Sequence, residues 1–424
     1  MMNLPIEFEK KMKAFLGNEW DDFLYSYDNN RFQALRFNTL KVQSQEERMR
    51  ILKVLGISSD KRVSWANEAY YFDENVRPGK HPYHEMGLYY IQEPSAMSAA
   101  ALLAPKPGMR VLDLCAAPGG KSTQLATYLG DSGLLVSNEI NTQRSRILSQ
   151  NIERMGIKNA IVTNEDSFVL ASHFPGFFNA IQVDAPCSGE GMFRKLPEAI
   201  EQWSPENVAI CAARQKEILD NAAVMLKPGG TIVYSTCTFS KEENEDVIEC
   251  FLERHPDFTL EEMERFWPHK VDGEGHFVAK LVRRGCVDTD LKADRKTKKN
   301  KNSKNRKNET KPALTKENMK LLSEFLDETI SEDMAAWIKN SRLVMFGEQL
   351  YRLPDMEVDI KGLKVQRAGL HIGEFKKQRF EPSHSLALAL KLSEAKNVVK
   401  LTCDNPQTTG FLHSAVCSSD NITD

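Results

Sequence analysis

The chain reads as an α/β protein: a parallel sheet with crossover helices, a small α+β module before it and a further module behind it. Three observations predict this. From about residue 105, short apolar runs alternate with longer helical stretches, the pattern of parallel strands joined by crossover helices. Residues 60–94 are instead aromatic-rich and broken by Pro78, Gly79, Pro82 and Gly87, which suits a compact α+β module. Residues 286–313 are polar, basic and Asn-rich with almost nothing to bury, so they read as a flexible linker. The expected units are an N-terminal module over 1–100, the α/β domain over 101–285, the linker over 286–313 and a C-terminal module over 314–424.

Each element has its own local signal. Phe8, Met12, Phe15 and Leu16 recur at helix spacing, and Phe32–Asn38 alternates like a strand. In the α/β domain, Arg110–Leu114 is a first apolar strand, followed by a Gly-rich turn and a helix from Lys121 to about Leu129. Leu134–Asn138 is the second strand, with a helical stretch over Thr142–Met155. Ala160–Thr163 is the third and Ala180–Asp184 the fourth. A long helix from about Pro205 to Leu226 should stop at Lys227-Pro228-Gly229-Gly230, because proline cannot continue a helix and glycine ends one. Thr231–Ser235 is the fifth strand, Lys241–Glu253 a helix and Phe277–Val282 a closing strand. Beyond the linker, Met319, Leu322, Phe325 and Leu326 mark an amphipathic helix. A β-like stretch covers about 341–375, and a helix lies near Ser385–Ala395.

Charge and cysteine usage bound the function. The net charge is −3, which taken alone argues against a polyanion partner. The charge is unevenly spread, however. Residues 291–311 hold ten Lys or Arg and two acids, net +8, which leaves the remaining 403 residues at −11. The eight cysteines include no closely spaced pair of the zinc-ribbon or redox kind, so reduced thiols and no metal are expected. With no leader-like or membrane-length apolar run, a soluble cytoplasmic protein is expected.

In open α/β sheets, ligands sit beyond the carboxyl ends of the strands. The first strand is followed by Cys115, Ala116, Ala117, Pro118, Gly119, Gly120 and Lys121. Small residues there let a ligand lie against backbone amides at a helix N-terminus, although the same loop also reads as a tight structural turn. It is neither G-x-G-x-x-G nor a Walker A loop. The second strand ends at Glu139, either a surface acid or an acceptor for ribose hydroxyls. The third leads to Asp166, either a helix cap or a partner for an adenine amino group. The fourth ends in Asp184-Ala185-Pro186-Cys187-Ser188-Gly189 and the fifth in Ser235-Thr236-Cys237-Thr238. Two thiols at the tips of two strands, with an aspartate beside one, are poorly explained as core filling. They suit covalent catalysis on an electron-poor ring. A thiolate added to carbon 6 of cytosine activates carbon 5 toward a methyl donor; a base then removes the carbon-5 proton and the thiolate leaves. The residues alone offer either thiol as nucleophile.

The segments LDLCAAPGGKSTQLA, VDAPCSGEGMFRK and YSTCTFSKEENE resemble the signature of the RNA cytosine-C5 methyltransferases of the Sun, RsmB and RsmF kind. ALRFNTLK and GLYYIQEPSAM resemble the RsmF branch, and HIGEFKKQRFEPSHSLALAL resembles the start of its C-terminal PUA-like RNA-binding module. The likeness covers about 1–285 and extends through that last segment. It implies a Rossmann-like methyltransferase domain, S-adenosylmethionine as cofactor and methylation of cytosine in 16S rRNA of the small subunit. It further implies an RNA-binding N-terminal module, a PUA-like segment from about 365, and a monomer partnered by ribosomal RNA or the small subunit. Residue by residue, it implies that the loop from Cys115 to Lys121 holds the methionine end of the cofactor, Glu139 the ribose and Asp166 the adenine edge. Asp184 then lies between cofactor and base, Cys237 is the nucleophile, Cys187 assists release and Lys195 faces the substrate. The 291–311 tract reads either as a sequence-blind phosphate contact or as a solvated spacer. After Leu401 the chain departs from the branch: DNPQTTGFLHSAVCSSDNITD stands where Gly-rich β structure and a basic tail are expected, so the PUA-like module is expected to be incomplete.

Overall fold

The computed structural model describes residues 3–285 and 314–398. The basic tract 291–311, Cys286, Cys403, Cys417 and the divergent stretch after Leu401 lie outside the described residues.

The first sheet is antiparallel and comprises β1 (Gln33–Phe37), β2 (Ala69–Phe72) and β3 (Tyr89–Gln92) in the order β2-β1-β3, preceded by helices Ile6–Leu16 and Trp20–Ser26. Next along the chain come β4 (Arg110–Asp113), β5 (Leu134–Asn138), β6 (Ala160–Thr163), β7 (Phe178–Asp184), β8 (Leu226–Thr236), β9 (Phe258–Phe266) and β10 (His276–Arg283). The C-terminal part adds β11 (Leu343–Phe346), β12 (Gln349–Arg352), β13 (Val365–Ala368), β14 (Leu370–Lys376) and β15 (Arg379–Pro382). The large sheet runs β13-β6-β5-β4-β7-β8-β10-β9, with β4 to β8 mutually parallel and the outer strands antiparallel. Strands β4 to β6 are almost wholly buried because helices cover both faces of the sheet. Strand order reverses between β4 and β7, which opens a crevice at their carboxyl ends. Among the described residues, no helix is long and apolar enough to cross a membrane.

Several elements depart from the sequence reading for identifiable reasons. The long helix ends at Met225, but β8 begins at once, at Leu226. Phe178 pairs with Leu226 and Ala180 with Thr231, so the Lys227–Gly230 turn residues are absorbed as a bulge within the strand. Strand β9 is acid-rich and exposed along most of its length, so it shows no apolar alternation; it is an edge strand held by β10 alone. Strand β13 leaves the C-terminal sheet (β11-β12-β14-β15) and pairs with β6, covering the other edge of the large sheet. The helix expected near Ser385–Ala395 is split into His384–Ala389 and a short 3₁₀ turn at Leu392–Glu394.

A side chain of the N-terminal sheet reaches the crevice. Arg36, fully buried in β1, donates to the Gly120 carbonyl at 3.1 Å and to Thr123 Oγ1 at 2.8 Å. Both acceptors lie at the start of helix Gly120–Leu129, directly behind the Gly-rich loop.

Candidate active site

A cavity of about 1210 Å³ occupies the crevice, lined by residues that follow the β4, β5, β6, β7 and β8 tips. It brings together Cys115, Ala117, Glu139, Asp166, Asp184, Cys187 and Cys237. Ala116 and Pro118–Lys121 do not line it. Lys195, on the loop after β7, is exposed and also absent from its walls.

The two thiols are adjacent because β7 and β8 are parallel neighbours with Asp184 level with Ser235. Their loops leave the sheet side by side, and Cys187 Sγ lies 3.3 Å from Cys237 Sγ. Gly191 allows this approach: its N–H donates to the Cys237 carbonyl at 2.8 Å, and a Cβ there would stand 2.9 Å from that oxygen. The hydrogen bond with Cys237, burial and the nearby Glu243 charge together hold the Cys187 thiol well above its usual range. Cys187 is therefore kept protonated. Burial, reinforced by neighbouring acids, likewise pushes up the Cys115 thiol in the loop after β4.

Asp184 ends β7, three residues before Cys187. Burial alone would favour its neutral form. The Lys121 ammonium at 2.9 Å and the Ser235 hydroxyl at 2.8 Å outweigh that and keep its carboxyl below the usual range. Lys121 thus spends its charge on Asp184, and this ion pair raises its own pKa against the opposing effect of burial. His276, on β10, is buried with its Nε2 3.8 Å from Asp184, and neither ring nitrogen has a hydrogen-bond partner among the described residues. Burial and the Lys121 charge lower its pKa to about 3, so the ring is neutral.

The other half of the cavity forms at the β5 and β6 tips. The Glu139 carboxylate accepts from the Asn141 amide at 2.8 Å and faces Arg144 at 3.4 Å. Asp166 caps helix Ser167–His173, accepting from the Phe168 amide at 2.8 Å, as one of its two sequence readings expects, and it also lines the cavity. Asn138 is a residue that sequence reasoning misses. Its amide donates to the Leu114 and Glu165 carbonyls and accepts from Thr163 and the Glu165 amide, joining three strand ends. Its one sequence signal is its place at the last position of a strand. Ile140 and Phe168, 66% and 67% exposed, present apolar surface at the rim beside these acids. Together these residues fit an adenosine-bearing cation: carboxylates for vicinal hydroxyls and positive charge, and apolar side chains for a flat ring. Among the described residues, no cluster of His, Cys, Asp and Glu is arranged to hold a metal.

Known proteins resemble this chain along most of its length. The model of a family described as 16S rRNA methyltransferase RsmB/F matches residues 100–282. The N-terminal domain of 16S rRNA methyltransferase RsmF matches 4–94, and the first C-terminal domain of RsmF rRNA methyltransferase matches 324–390. Ribosomal RNA small subunit methyltransferase F of Vibrio vulnificus is 32% identical, covering 95% of this chain and 87% of its own. Its counterpart in Escherichia fergusonii is 33% identical, covering 94% and 85%. Among solved structures, a methyltransferase homolog from Pyrococcus horikoshii is 29% identical with a TM-score of 0.56, over 63% of this chain and 91% of that one.

Proposed function

Because the chain belongs to the RsmB/F family of 16S rRNA methyltransferases, on its RsmF branch, we propose that it methylates carbon 5 of cytosine in 16S rRNA through a covalent adduct with Cys237. The observation that carries this reading is the pair of thiols 3.3 Å apart beside an ionised aspartate. S-adenosylmethionine is the methyl donor; when bound, it supplies an electrophilic methyl group on a sulfonium leaving group.

The chain's own residues divide the remaining work. The target base must leave its stack to reach the crevice, and the N- and C-terminal modules grip the flanking RNA. Asp184, held ionised by Lys121 and Ser235, accepts a hydrogen bond from the ring's amino group and fixes the base. The Cys237 thiolate adds to carbon 6, and the displaced ring electrons make carbon 5 nucleophilic. Carbon 5 takes the methyl group; a base then removes the carbon-5 proton, the pair from that C–H bond re-forms the double bond to carbon 6, and the bond between Cys237 and carbon 6 breaks with its electrons on sulfur. Cys187, kept as a thiol, assists this release. Glu139 and Asp166 hold the ribose and adenine of the cofactor, with Cys115 and Ala117 against its methionine end. The domain limits 1–100 and 101–285 and the cytoplasmic setting belong to the same proposal.

The test is methyl transfer from labelled S-adenosylmethionine to 16S rRNA. Cys237→Ala is expected to reduce transfer by about 10³-fold or more, equivalent to roughly 4 kcal/mol of barrier; full activity overturns the choice of nucleophile. Cys187→Ala is expected to accumulate a protein–RNA adduct that survives a denaturing gel, and absence of any adduct overturns its role in release. Bisulfite sequencing of total RNA from a deletion strain then reads whether the modified cytosine lies in ribosomal or transfer RNA.

A further inference from the structure

The two thiol-bearing loops are irregular, and sheet hydrogen bonding reaches only their first residues: the Ala185 amide bonds the Ser235 carbonyl at 2.9 Å. Beyond that point, two buried carboxylates span them in opposite directions. Glu243, at the end of the Cys237 loop, accepts from the amide of Ser188 at 2.9 Å and also from its hydroxyl. Ser188 is the residue directly after Cys187. Gln215 on the long helix donates to the same carboxylate at 2.9 Å. Glu190, on the Cys187 loop, accepts from the Phe239 amide and the Ser240 hydroxyl, each at 2.8 Å, and from Trp203 Nε1 at 2.9 Å. Phe239 and Ser240 follow Cys237. Both carboxylates are wholly buried.

Burying two carboxylates is unfavourable unless their acceptor sites are filled, and here donors from the opposite loop fill them, joined by Gln215 at Glu243 and Trp203 at Glu190. A fold needing only to close these loops would be served as well by apolar residues of similar volume. What the carboxylates add is direction: each fixes backbone within two residues of a thiol. We infer that Glu190 and Glu243 form a reciprocal clamp that sets the separation of Cys187 and Cys237, so that both are positioning residues for methyl transfer. The inference rests on the assignment of Cys237 and Cys187 above.

The clamp can be tested apart from that assignment, because two thiols in contact are easily cross-linked. Diamide takes two electrons and two protons from Cys187 and Cys237; the two S–H bonds break, one S–S bond forms, and diamide is reduced to the hydrazine. The rate is read in the full chain by mass spectrometry of the Cys187–Cys237 peptide pair. Glu190→Ala and Glu243→Ala are each expected to slow this cross-link about tenfold or more. They are also expected to lower kcat about 100-fold, leaving KM for S-adenosylmethionine within about twofold. Glu190→Gln and Glu243→Gln keep one carbonyl acceptor and are expected to recover most of both rates. Cross-linking and kcat at wild-type levels in the alanine variants overturn the clamp. Should an alanine variant lose cofactor binding through misfolding, its glutamine counterpart decides. Slower cross-linking with cofactor binding intact then supports the clamp, and wild-type cross-linking overturns it. An active Cys237→Ala enzyme overturns the assignment of nucleophile, while the cross-linking rates still judge the clamp.

Discussion

Glu139 and Asp166 stand at strand tips and are held by their own neighbours in sequence, through the amides of Asn141 and Phe168. Asp184 and the two thiols, in the same cavity, are held by Lys121, Ser235, Glu190 and Glu243, which reach them from other loops and strands. The half proposed for the cofactor thus presents its carboxylates on local turns, with Asn138 joining the strand ends behind them. The thiol half is a buried polar network whose members depend on one another. Local turns suit a site that binds one constant ligand. A network suits reacting groups that must be placed to within a fraction of an ångström, and it makes that half the more fragile.

The strongest way to break this contrast is at Lys121. In Lys121→Met the buried carboxylate of Asp184 loses its partner, and unfolding free energy at pH 7 is expected to fall by about 3 kcal/mol. The sign follows from the shift: Asp184 is held below its usual range, so the pair stabilises the fold above the unfolded carboxyl pKa and the effect is lost as pH falls through the folded value. Without Lys121, burial pushes Asp184 up and the acid limb of methyl transfer moves to higher pH. Urea titrations and a pH–rate profile measure both effects. An unchanged profile would mean that Asp184 takes its charge state from elsewhere.

The same contrast explains what is legible in the sequence. A strand tip is marked by its own short apolar run, so the sequence alone assigns Glu139, Asp166, Asp184, Cys187 and Cys237 to one sheet edge. Lys121 is legible only as the end of a loop, because nothing local says that its ammonium turns to Asp184. Glu190, Glu243 and His276 carry no local signal of their roles and Asn138 only its strand-end position, because these roles depend on which strands are neighbours. Strand β9 is hidden for a related reason: an exposed, acid-rich edge strand lacks the apolar alternation by which strands are read. The departure of β13 to the large sheet is equally non-local, being fixed by pairing with β6.

A milder test lies in the cofactor half. Glu139→Gln keeps size and one acceptor but removes the charge. KM for S-adenosylmethionine is expected to rise about tenfold, with kcat within about twofold, the signature of lost uniform binding. Initial rates at saturating RNA read the split. A parallel fall in kcat would show that the halves are coupled and that the cofactor side is more than a set of independent turns.

The smallest expected effect falls where the halves meet. Asp113 lies fully buried in β4, with one oxygen accepting from the Ser122 hydroxyl at 2.6 Å and the other without a partner among the described residues. Burial raises its pKa to about 7 from 3.8, with Asp184 and Glu139 adding to the shift. An acid whose folded pKa exceeds its unfolded one binds its proton more tightly when folded. The stability this group contributes is therefore present below about pH 3.8 and declines as pH rises toward 7. Asp184 acts in the opposite sense and only below its usual carboxyl range, so the two windows do not overlap. Asp113→Asn removes the titration while keeping an acceptor for Ser122, and it is expected to be more stable than wild type at pH 8 with little change at pH 4. Urea unfolding at the two pH values measures the difference. If both proteins show the same slope, Asp113 is ionised in the fold, and the charge shared by the two halves must then be neutralised by a group other than this carboxyl's own proton.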